Sequence, residues 1–249
     1  MNADTNAITH MRAITISREY GSGGGEIASR LAARLGWQLV DHEIVVRVAQ
    51  ELDIPLAEAE ANDEYVESTV SRILTSMRMI YPTMSTVEPV PDLVLTDPQA
   101  YQDALSKVVN AAVTAGRVVI VGRGAQVLLA NRRDVLHARV VAPLEQRIAY
   151  VMQREGLNRD AARGRIQLKE SDRHRYLQAQ YHRHSDDPHL YDLVLNTGVL
   201  SLDNAVDLIY QTLQYKAMRL AIVTGELGPV MGLEPYTSQP GDFHPPESK

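Results

Sequence analysis

Apolar residues in this chain fall into two kinds of run. Short blocks, most of them rich in β-branched residues, stand at Ala13–Ser17, Trp37–Val40, Val118–Val121, Val135–Val141 and Leu193–Asn196, and each reads as a buried strand. Between them the apolar positions recur at helical spacing. Ile27, Leu31 and Leu35 share one face of a helix over Glu26–Leu35 that stops at Gly36, and Val206, Ile209, Leu213 and Leu220 line another over Asp203–Val223. Helices are also predicted over Ala100–Ala115, ended by Gly116, over Leu144–Arg154, and over a long basic stretch, Arg159–Arg183, with room for a break. Five strands alternating with helices predict an α/β fold of three layers, a parallel sheet between helices.

One connection is unlike the rest. A helix is predicted over Glu43–Leu52, and the stretch from Ile54 to about Gln99 then carries a helical segment, Glu64–Met79, followed by Pro82, Pro89, Pro91 and Pro98. Connections of this length are functional or mobile. Residues 1–11 read as a flexible tail, 12–224 as a single folded domain, and the Gly- and Pro-rich 225–249 as a disordered tail.

Ligands of parallel sheets bind beyond the carboxyl ends of the strands, so the residues there carry the chemistry. After the first strand comes Ser17-Arg18-Glu19-Tyr20-Gly21-Ser22-Gly23-Gly24-Gly25-Glu26. Strand, glycine-rich turn and helix aim backbone N–H groups and a positive dipole end at a phosphate. The ordinary loop, G-x-x-x-x-G-K-[ST], adds a Lys for the β/γ-phosphates and a hydroxyl for Mg²⁺. Here Arg18 stands at the first Gly, Gly24 at the Lys and Gly25 at the Ser/Thr. Gly21, Ser22, Gly23, Gly24 and Gly25 are thus the expected cradle for the phosphates of ATP, and Arg18 is the local cation placed to replace the Lys. Glu26 opens the following helix, where it complements the dipole; a carboxylate there also suits Mg²⁺. Arg123, between Gly122 and Gly124 after the third strand, has no packing reason to be there and offers phosphate a guanidinium fork. Asp41 and Asn196 end two further strands.

Composition narrows the partners. A net charge of −6 argues against general nucleic-acid binding. With 0 Cys there is neither a disulfide nor a thiol nucleophile. No apolar run approaches the roughly 20 residues of a membrane helix, and the N-terminal residues lack a leader pattern, so a soluble, cytoplasmic protein is expected. Charge is unevenly spread. Acids dominate from Asp41 to Asp103, bases from Arg139 to Arg183, which marks either an anion-handling segment or a solvated helix. His182, His184 and His189 lack ligand spacing, and no resident metal site is predicted.

Four segments together carry a resemblance: Ile14–Gly24, Val119–Ala125, Ala142–Ile148 and Tyr191–Thr197. In order and spacing they resemble the cytidylate kinase-like family, a branch of the nucleoside monophosphate kinases, over residues 14–210. The resemblance implies a P-loop kinase-like fold with a helical NMP-binding insert at about 42–112 and a lid at about 156–190. It implies transfer of the ATP γ-phosphoryl group, with Mg²⁺, to CMP or a related phosphate-bearing acceptor. On the matching positions, Asp41 is the acid that ends the second strand, and Arg47 and Arg123 hold the acceptor phosphate. In Asp172-Arg173-x-Arg175 the resemblance makes Arg173 and Arg175 lid cations that neutralise the transferring group. The partner implied is a CMP-like nucleotide, with neither nucleic acid nor membrane; association of the chain with itself is left open.

Departures from that family bear on activity. The authentic enzymes carry Lys at Gly24, Thr at Glu26, Ser at His42 and Asp at Gly124. One reading is a kinase in which Arg18 replaces the Lys. Another is a catalytically weak or inactive nucleotide-binding or sensing protein. A third is a kinase for a different phosphate-bearing acceptor, since base-recognition positions have changed.

Overall fold

The computed structural model describes residues 8–41 and 98–228. Arg47, the helices expected over Glu43–Leu52 and Glu64–Met79, and residues 1–7 and 229–249 lie outside those residues.

Five strands form one sheet: β1 (Ala13–Arg18), β2 (Gln38–Val40), β3 (Val118–Val121), β4 (Val135–Val141) and β5 (Leu193–Asn196). All neighbours are parallel, in the order β2-β3-β1-β4-β5. The predicted parallel sheet is therefore present. β1 is central, with β3 and β4 on either side, in register as Ile14↔Val119 and Ser17↔Arg139. From β1 the chain passes to β2 on one side; from β3 it crosses to β4 on the other. That reversal opens a crevice at the carboxyl end of β1.

Alternation along the strands divides the core. Ile14, Ile16, Leu136, Ala138 and Val140 face α1 (Gly24–Leu35) and α6 (Leu202–Met218), meeting Ile27, Leu31, Ile209 and Leu213. Ala13, Val118, Ile120 and Val135 face the other way, onto Leu105, Val108 and Val113 of α2 (Pro98–Ala115). A short helix, α3 (Ala125–Leu128), follows β3. The pattern had not predicted it, because four residues are too few to show a period.

α4 (Leu144–Glu155) and α5 (Arg159–Tyr181) pack on each other through Ile148, Val151, Ala162 and Ile166, with Tyr20 of the glycine loop against them. The break allowed for in the basic stretch does not occur, and α5 runs 23 residues. Asn158 caps it by accepting from Ala161 N–H at 2.9 Å, and Gly164 inside it has nothing within 4 Å to disturb. α6 stops at Met218, short of the predicted Val223, because Arg219, Leu220 and Ile222 N–H groups turn back to carbonyls three or fewer residues behind. Leu220 still packs on the core from that turn.

Candidate active site

The glycine loop is braced from within. Ser22 N–H and Oγ both donate to the Glu19 carbonyl, at 3.3 and 2.9 Å, and Oγ also reaches the Val140 carbonyl at 3.2 Å. The hydroxyl expected in the phosphate cradle is thus turned inward and holds the turn's shape. Gly21 and Gly23 are left-handed, with φ of 83° and 78°. A Cβ on Gly21 would stand 2.8 Å from the Arg147 carbonyl, and one on Gly23 2.6 Å from Leu202. Gly23 caps α1 without a side-chain bond. The first-turn amides of Gly24, Gly25 and Glu26 therefore have no intrahelical acceptor and, among the described residues, no side chain satisfying them, as an anion cradle requires.

Arg18 explains the missing lysine. A Cβ on Gly24 would lie 2.6 Å from Arg18 Cβ and 3.1 Å from Arg18 Cγ. No side chain fits at Gly24 while Arg18 holds its place. The Arg18 guanidinium continues across the strand ends to Gly122, where an added Cβ would overlap Nη1. The cation has been moved from one end of the loop to the other.

Arg18 is not alone there. Burial, then the guanidinia of Arg173 and Arg123, pull its pKa well below the usual range, to about 9, while Glu170 and Asp41 pull it back up. Arg173 is lowered too, by burial first and by Arg123, with Glu170 and Tyr20 opposing. Arg18 stays charged at neutral pH, and an anion bound beside it relieves the crowding of like charges. Arg123 sits at φ 61° between Gly122 at 75° and Gly124 at 66°, a left-handed run in which a non-glycine residue is strained. A Cβ on Gly124 would stand 2.5 Å from the Tyr181 ring, so the Asp found there in cytidylate kinases is excluded by α5.

α5 is tied to the loop through Tyr20. Tyr20 N–H donates to Glu170 at 2.5 Å, and Arg173 donates to the same carboxylate at 3.2 Å and to the Arg18 carbonyl at 3.1 Å. The Arg173 guanidinium lies 5.4 Å from the Tyr20 ring centre, and Tyr20 OH bonds Glu155 at 2.5 Å. Arg147 on α4 braces the same turn, bonding the Ala142 carbonyl at 3.0 Å and pairing with Glu19 at 3.5 Å. A cavity of about 450 Å³ opens on this arrangement, lined by Arg18, Tyr20, Gly23, Gly25, Tyr150 and Arg173 among others.

The remaining predicted residues are placed as follows. Asp41 ends β2 within the electrostatic reach of Arg18. Glu26 lines the cavity, but its carboxylate pairs with Arg30 at 3.1 Å and Arg154 at 3.8 Å. Arg175 is not brought to the cluster: its side chain is 72% exposed and pairs with Asp172 at 2.7 Å. Arg47 lies outside the described residues. Tyr20, Glu170 and Arg147 were missed by the sequence reading. The Glu170–Arg173 spacing of three was the one signal available, since it sets both on one helix face.

The model of the cytidylate kinase-like family matches residues 13–199. A crystal structure of an uncharacterized protein from Eubacterium ventriosum shares the fold, with a TM-score of 0.54 at 19% identity over 81% of this chain and 98% of that one. A shikimate kinase from Bacteroides thetaiotaomicron aligns at a TM-score of 0.40 and 13% identity, over 82% of this chain and 97% of that one. A uronate isomerase from Corynebacterium glutamicum is 34% identical over 101 residues, 41% of this chain, so the chain spans only 19% of that curated relative's length. Among the described residues, no helix is long and apolar enough to cross a membrane.

Proposed function

Because the chain belongs to the cytidylate kinase-like family, whose chemistry is P-loop kinase-type phosphotransfer, we propose that it moves the γ-phosphoryl group of ATP, with Mg²⁺, to CMP or a related phosphate-bearing acceptor. The observation that carries this reading is the exchange between Arg18 and Gly24. A loop that had merely decayed would have lost its lysine and kept an empty place. This one fills that place from Arg18 and puts a guanidinium at the strand ends beside Arg123 and Arg173.

Phosphoryl transfer asks the protein for positioning and electrostatic stabilisation rather than covalent chemistry. The first-turn amides of α1 hold donor phosphate oxygens. Arg18 and Arg173 face the charge that spreads over the transferring group, and Arg123 fixes the acceptor's phosphate from the far side of Gly122. A Mg²⁺ ion, when bound with the nucleotide, neutralises charge on the donor oxygens. Among the described residues no group of three or more acidic or histidine side chains is set to hold it. Gly25 brings no hydroxyl and Glu26 is engaged by arginines; nucleotide phosphates and water are natural ligands of this ion.

The test is coupled ATP turnover with CMP, dCMP, UMP and AMP offered in turn. Turnover that depends on one of these acceptors is expected. Measurable ATP binding without acceptor-dependent turnover would instead make this a nucleotide-binding or sensing protein.

A further inference from the structure

Arg139 is a buried cation with no role in the site so far described. It lies on β4, on the face turned away from α1, and is 7% exposed. None of the ion pairs among the described residues includes it. Among the described residues its hydrogen bonds run from Nη1 to Ser17 Oγ and to the Tyr191 hydroxyl, both at 3.4 Å, and its guanidinium lies 5.6 Å from the Tyr191 ring centre. Bonds of that length are weak, and a guanidinium carries five donors. A buried charge without a counter-ion is unfavourable by several kcal/mol.

The other donors are not sealed away. Among the described residues, His137 Nε2 is the side-chain atom both closed to solvent and unbonded. Arg139 Nε and Nη2, which make no bond, therefore still open onto accessible space. Around them stand two hydroxyls. Tyr191 OH is 3.2 Å from Ser17 Oγ and donates to the Ser185 carbonyl at 2.8 Å. Ser17 pairs in register with Arg139, and the next pair along is Arg18 with Val140. Arg139 thus stands one register pair before Arg18, on the opposite face of the sheet.

We propose that Arg139 and Ser17 anchor an oxyanion of the acceptor other than the phosphate held by Arg123, a second phosphate monoester or a carboxylate. The word acceptor rests on the phosphotransfer reading above; the anion site itself does not. A guanidinium and the Ser17 hydroxyl match such a group in charge and in donors, the Tyr191 proton being held by the Ser185 carbonyl.

The test uses the full chain labelled with ¹⁵N in its arginine side chains, the Arg139 signal being assigned by its absence in Arg139→Lys. With a non-hydrolysable ATP analogue saturating the loop and ionic strength held constant, inorganic phosphate is titrated in one arm and acetate in the other. A saturable shift of the Arg139 Nε signal is expected, and the arm that produces it identifies the anion. Ser17→Ala should weaken that binding about fivefold, the worth of one ordinary hydrogen bond. An Arg139 signal unmoved in both arms overturns the anchor. The response of the Arg18 signal to the ATP analogue is read separately, so failure of the anchor and failure of the phosphotransfer reading are told apart.

Discussion

Arg18 and Gly24 exclude each other's alternatives: a Cβ added to Gly24 would stand 2.6 Å from Arg18 Cβ. Gly25, the next residue, has nothing within 4 Å of the same position. Neighbouring glycines in one helical turn are thus required for different reasons. Gly24→Ala should destabilise the protein by about 1–3 kcal/mol through overpacking. Gly25→Ala should be neutral or stabilise it by up to about 1 kcal/mol. Urea unfolding of both variants checks this, and equal effects would remove the steric account.

The two candidate lid arginines should separate sharply. Arg173 bonds the Arg18 carbonyl and stands over Tyr20, whereas Arg175 is exposed and paired with Asp172. Arg173→Ala should lower kcat by about 10²–10³, the range for loss of a group facing transition-state charge. Arg175→Ala should stay within about fivefold of the wild type, since exposed pairs are worth ~0–1 kcal/mol. Steady-state kinetics on the two variants decide, and equal losses would show that α5 moves to bring Arg175 in.

What was legible in the chain, and what was not, follows the reach of each interaction. Short apolar blocks marked all five strands, so the strand ends that carry Arg18, Asp41 and Arg123 were legible too. Comparison with the ordinary loop marked Arg18 and Gly24 as the odd positions. That they touch was not legible, because it depends on how the turn folds back on β1. Tyr20 was equally hidden: its partner Glu170 is 150 residues away in sequence. Arg139 read as the start of the basic stretch, and only the fold shows it buried and outside every ion pair among the described residues.

Arg123 holds a left-handed backbone that glycine adopts freely. Arg123→Gly should therefore raise stability by up to about 1 kcal/mol while weakening acceptor binding by at least about tenfold, the loss of a charge-assisted hydrogen bond. ATP affinity should not change. Thermal unfolding and calorimetric titration with CMP and with an ATP analogue test the three effects together; a variant that keeps acceptor affinity takes Arg123 out of the acceptor site.

His137 makes the fold acid-sensitive. It is buried, accepts or donates a 2.8 Å bond with Thr15, and its pKa is pushed down to about 4, by burial first and also by Lys216, against the pull of Asp192. An unfolded histidine takes up its proton near pH 6.5, at roughly the model-peptide value. Between those values the unfolded chain binds more protons, so the contribution of neutral His137 is complete above about pH 6.5 and is lost as pH falls toward 4. His137→Gln should flatten the decline of urea midpoints over that interval. The same decline in both proteins would place the sensitivity elsewhere.

Replacement of the loop lysine by Arg18 is tested most directly by swapping the two positions back. Arg18→Gly should lower acceptor-dependent ATP turnover by about 10²–10³, and Gly24→Lys alone should fold poorly against Arg18. Combining the two removes the clash and restores a lysine to the ordinary place, so the double variant should fold and recover most of the lost rate. A double variant no faster than Arg18→Gly, or an Arg18→Gly enzyme at wild-type rate, would contradict a catalytic role for Arg18.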